Sequence, residues 1–117
     1  MSLPGEDHVA HRQATPGAGL VRLNLVFPPS LEDAVTEALL AGPALPGFTL
    51  FHAEGHTSDF SRASASERVR GRVERRVLWV VIEYARLDEV LSVLHARVAS
   101  TEVRWWAEPV IASGRLA

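Results

Sequence analysis

Val77-Leu78-Trp79-Val80-Val81-Ile82 runs for six residues without a polar side chain. A run so short and so rich in β-branched residues reads as a strand, and it offers no polar residue to water on either side. Both faces of that strand therefore need cover. Downstream, Leu87, Val90, Leu91, Leu94 and Val98 recur at helical spacing and predict an amphipathic helix. Residues 103–110 predict the last strand, where the adjacent Trp105 and Trp106 point to opposite faces. Upstream, residues 55–71 lose all periodicity and are rich in Ser, Gly and Arg, which predicts a long loop. Few apolar anchors hold it, so it is expected to be mobile when free and to order on binding.

Nearer the N-terminus, residues 20–27 alternate, with Val21, Leu23, Leu25 and Phe27 on one face and Arg22 and Asn24 on the other. Pro28 and Pro29 end this strand. Ser30 is expected to cap a helix, with Asp33 completing a variant capping box, and Leu31, Ala34, Val35, Ala38 and Leu39 follow at helical spacing. Gly42 and Pro43 close that helix. After the Pro46-Gly47 turn, residues 48–53 predict a second strand. The order is βαββαβ, the ferredoxin-like split arrangement of an α+β protein. It predicts an antiparallel four-stranded sheet with two helices on one face and a long loop between strands 2 and 3. The face without helices would leave large apolar side chains wet, which predicts oligomerisation through it.

The 117-residue chain has room for one domain, expected over residues 17–117 behind a flexible tail at 1–16 that holds His8 and His11. There is no cysteine, which excludes disulfides and thiolate chemistry and fits a reducing, cytoplasmic setting. No basic start with an apolar run precedes the domain, and no apolar stretch approaches the ~18 residues of a membrane span, so neither export nor membrane insertion is expected. A net charge of −2 argues against nucleic acid as the partner. All twelve basic residues are arginine, and Arg62, Arg68, Arg70, Arg72, Arg75 and Arg76 crowd together.

The segments GFTLFHAEGHTS (47–58), SERVRGRVERRVLWVVI (66–82) and RWWAEPVIASGRL (104–116) are similar to PII signalling proteins, and more so to an uncharacterised bacterial PII-like family. The resemblance covers roughly residues 20–117. It implies a homotrimer with sheets facing inward, long loops projecting outward, and clefts between subunits that hold a small effector, often an adenine nucleotide. It also implies a partner engaged through the loop, such as a membrane transporter or an efflux system. Thr49, Gly55 and Arg115 would contribute to the cleft. Arg70 and Arg72 join them as effector candidates, because a guanidinium fork matches phosphate and carboxylate. PII proteins grip phosphate with a glycine-rich, lysine-bearing loop before the last strand. Here that segment is HARVASTEVR (95–104), with neither residue, so the usual PII grip on ATP is not expected.

His52, Glu54 and His56 suggest a divalent metal site, as imidazole and carboxylate suit zinc, copper or nickel. In an extended strand His52 and His56 stand ~13 Å apart, so they converge only if Gly55 bends the chain or two subunits contribute. This is the basis of an alternative reading, a metal-binding protein in divalent metal tolerance, as in the related CutA fold. Catalysis is not expected: the chain lacks cysteine, a Gly-x-Ser-x-Gly elbow and a phosphate-binding Gly-rich loop that opens a helix.

Overall fold

The structure, a computed structural model, describes residues 19–42, 44–56 and 73–117. The elements run β1 (Leu20–Phe27), α1 (Glu32–Ala41), β2 (Thr49–Gly55), β3 (Val73–Glu83), α2 (Leu87–Arg97) and β4 (Arg104–Val110). They form one four-stranded sheet in the order β2-β3-β1-β4, antiparallel throughout. The expected βαββαβ fold is thus the fold observed. Among the described residues no helix is long and apolar enough to cross a membrane. The expected tail at residues 1–16, most of the expected loop, and the effector candidates Arg70 and Arg72 lie outside the described residues.

The core follows from strand parity. Leu23, Leu25 and Phe27 of β1 and Leu78, Val80 and Ile82 of β3 are buried on one face, against Val35, Ala38 and Leu39 of α1 and Leu87, Val90 and Leu94 of α2. Each such aliphatic or aromatic side chain contributes about 1.5–3 kcal/mol by leaving water. Both helices therefore lie on one side of the sheet. Arg76 clamps this layer, its Nε 2.7 Å from Glu32 Oε1, where a carboxylate in the first turn of α1 also suits the helix dipole.

Each helix is entered through a 3-10 turn, Pro29–Leu31 and Tyr84–Arg86. The expected Ser30 cap does not form: Leu31 holds the N-cap position of α1 and makes no side-chain cap bond. Pro29 starts the 3-10 turn, and the backbone bonds of that turn take the Leu31 N–H to Pro28 O and the Glu32 N–H to Pro29 O, so Ser30 lies inside the turn. β2 spans Thr49–Gly55, beginning and ending slightly later than expected, because its pairing with β3 runs on to Gly55 opposite Val73. The intervening chain leaves and returns at that one point.

Gly42 ends α1 with φ −87°, so backbone strain does not require glycine there. Close packing does. A Cβ at this position would lie 2.9 Å from Val93 Cγ1 and 3.0 Å from the Ala38 carbonyl oxygen. Gly42→Ala should lower stability by about 1 kcal/mol in urea unfolding, overpacking outweighing the lost unfolded-state entropy. The cost should fall by about half in a Val93→Ala background; an unchanged cost would show that helix contact does not set this position.

Candidate functional site

The sheet face away from the helices is read directly from the register. One row across it is Phe51, Val77, Val26 and Arg104; the next is Thr49, Trp79, Asn24 and Trp106; then follow Val81, Arg22 and Glu108. Trp79, Val81 and Trp106 are 38%, 37% and 44% exposed. Phe51 meets the Trp79 ring edge-on with centroids 4.9 Å apart, and Arg22 Cζ lies 4.2 Å from the centroid of the same ring.

A polar knot sits inside this apolar face. Glu108 Oε1 accepts from Arg22 Nη2 at 2.9 Å, Asn24 Nδ2 at 2.8 Å and Trp106 Nε1 at 3.3 Å. Asn24, 1% exposed, also reaches the main-chain oxygens of Arg22 at 3.1 Å and Trp106 at 3.3 Å. Its amide thus bridges β1 and β4 and fixes their register. The Arg22 hydrogen bond first, then that of Asn24, hold the Glu108 carboxyl below the usual carboxylate range. Sequence reading missed the knot as a unit; its signals were one amide and one arginine in the open-face positions of an otherwise apolar strand, with a glutamate in β4.

Among the described residues, the candidate effector residues Thr49, Gly55 and Arg115 are not brought to one edge of the sheet. Thr49 and Gly55 lie on β2, while the exposed Arg115 follows β4. β2 and β4 are opposite edges of the sheet, about 14 Å apart across three strand spacings. His52 and Glu54 are exposed on the helix side of β2, opposite Arg76 and Glu74, and His56 follows the strand. Among the described residues no three His, Asp or Glu side chains gather to hold an ion. Trp105 and Trp106 do point to opposite faces, opposite Leu25 and Asn24, yet both rings are about half exposed in the single chain, at 51% and 44%.

The model of the family described as "Protein of unknown function (DUF3240)" matches residues 18–117. The chain belongs to the DUF3240 family. Its fold is similar to the crystal structure of a DUF3240 family protein from Shewanella baltica OS155, at TM-score 0.67 and 19% identity, covering 84% of this chain and 97% of that one. It is also similar to Arabidopsis thaliana PII bound to citrate, at TM-score 0.57 and 15% identity, covering 78% of this chain and 77% of that one. The PII-like architecture expected from the sequence is thereby confirmed. No curated protein matches the chain.

The lowered Glu108 value has a pH consequence. A carboxyl whose folded pKa lies below its unfolded pKa binds more protons when unfolded, so stability rises with pH between the two values. The contribution is complete above the unfolded value, ~4.3, and is lost as pH falls through the folded one. Urea midpoints measured from pH 7 downward should show a shallower acid-side loss in Glu108→Gln than in the native chain. Equal slopes would remove Glu108 from the account.

Proposed function

We propose that the protein is a homotrimeric PII-like regulatory protein that binds a small anionic effector, an adenine nucleotide being the first candidate, in clefts between its subunits. It acts on a partner, such as a membrane transporter or efflux system, through the segment joining β2 and β3. This is a binding role and not a catalytic one.

The observation that carries the reading is the open sheet face. Trp79, Val81 and Trp106 form an exposed apolar surface that monomers avoid. Two of its charges, Arg22 and Glu108, already pair within the chain, which lowers the cost of burying them relative to lone charges. A closed assembly of copies would cover the face; that the closure is three-fold rests on the PII-like resemblance. The separation of Thr49 and Gly55 from Arg115 supports a cleft drawn from more than one copy. The citrate in the Arabidopsis PII structure favours an anion, and without glycine or lysine in residues 95–104 the grip on it falls to arginine.

Sedimentation at micromolar concentration should give a species near three times the 12.8 kDa chain. Trp79→Asp should shift it to the monomer. Calorimetric titration with adenine nucleotides should show binding that Arg115→Ala weakens by about 10-fold, the loss expected of a charge-assisted contact. A well-folded native monomer, or heat released only by copper, zinc or nickel, would overturn the proposal.

A further inference from the structure

A second surface lies on the helix side of the sheet, where α2 hands over to β4. A recess of about 370 Å³ opens there, lined by Leu25, Val35, Leu94 and Trp105, with Thr101 and His95 also in its wall. Its volume is at the low end for ligand pockets, and those pockets need a few convergent polar groups. Its wall is mostly apolar: the polar side chains that line it are His95, Ser100 and Thr101, and the Ser100 hydroxyl already accepts the Glu102 N–H at 3.1 Å. An apolar side chain is the fitting occupant.

The same chain carries unpartnered apolar side chains. Ile111 and Leu116, just past β4, are the most exposed large hydrophobics among the described residues, at 79% and 109%. They cannot readily serve their own recess. Val110 pairs with Leu20 and Trp105 with Leu25, so the recess lies five positions back along β4, about 17 Å away, while the segment continues past the strand without pairing back on it. β4 is also an edge strand, with main-chain groups free to receive an extended segment.

We propose that residues 111–117 of one copy dock on the next, with Leu116 seated against Trp105 in its recess and Ile111 buried between the two copies. The contact joins two different surfaces and is therefore head-to-tail; its closure as a ring rests on the trimeric reading above. In an extended segment neighbouring side chains point to opposite sides. Seating Leu116 therefore turns Arg115 away from the recess and into the space between copies, where an anionic effector would need it.

The absence of cysteine makes a disulfide test clean. Thr101→Cys and Leu116→Cys would be combined in one chain and, separately, mixed as single variants under mild oxidation. Docking predicts disulfide-linked pairs only in the mixture of single variants, and linked species up to the covalent trimer from the double variant, because the bond requires Cα atoms within ~7 Å. A link formed inside one chain, or no link in a protein that sediments as a trimer, overturns the docking and leaves the trimer standing. A native chain that sediments as a monomer overturns the trimeric reading itself.

Discussion

β3 sets a condition that the rest of the molecule has to meet. Its side chains alternate with a period of two, so Leu78, Val80 and Ile82 go to one face and Val77, Trp79 and Val81 to the other. Two helices of about ten residues each cover only the first set. A one-residue slip would exchange the two sets and bury Trp79 where Leu78 and Val80 now pack. The register is held against that slip from both sides. Beneath the helices, Phe27 and Leu23 fill the core without exposure; on the open face, Asn24 ties β1 to β4 through a main-chain oxygen and a carboxylate.

The knot of Arg22, Asn24, Trp106 and Glu108 would also make the proposed association of an apolar sheet face selective. Purely hydrophobic faces associate with almost anything, whereas a buried or half-buried polar group demands a partner of matching geometry or must be satisfied in advance. Here the donors and the acceptor are matched inside the chain. Burying a pair matched in advance costs less than burying a lone charge, and a misaligned neighbour that pulls Arg22 from Glu108 would strand one. The stacking of Arg22 over Trp79 extends the same control to the centre of the face.

The fold was legible because its signals are local and periodic. Alternation in residues 20–27, helical spacing from Leu87 to Leu94 and the uninterrupted run from Val77 to Ile82 each name an element without reference to the others. Ser30 misled because the chain enters α1 through a tighter turn, in which the Glu32 N–H that a Ser30 cap would take is bonded to the Pro29 oxygen. The knot was not legible for a different reason. Arg22 and Glu108 are far apart in sequence and become partners only when β1 and β4 pair. Gly42 could be recognised as a helix end, but its contact with Val93 is a property of two helices packed together.

Likeness at 19% and 15% identity fixes the architecture and not the ligand, since one fold hosts many sites. What distinguishes this chain within the PII-like architecture is how it supplies positive charge. It has no lysine, and residues 95–104, where PII proteins place a flexible glycine-rich grip, contain none of that residue. Ala99 there takes a positive φ of 45° that glycine would adopt without strain. A connection built this way is stiffer than a glycine loop, and the N–H groups of Val98, Ala99, Glu102 and Val103 are bonded within the chain. Recognition of a phosphate or carboxylate would then fall to planar guanidinium groups, which bind with directional, paired hydrogen bonds where lysine offers a point charge. Thr49 and Gly55 lie on one edge of the sheet and Arg115 beyond the other, so the proposed recognition would be coupled to the proposed assembly of copies.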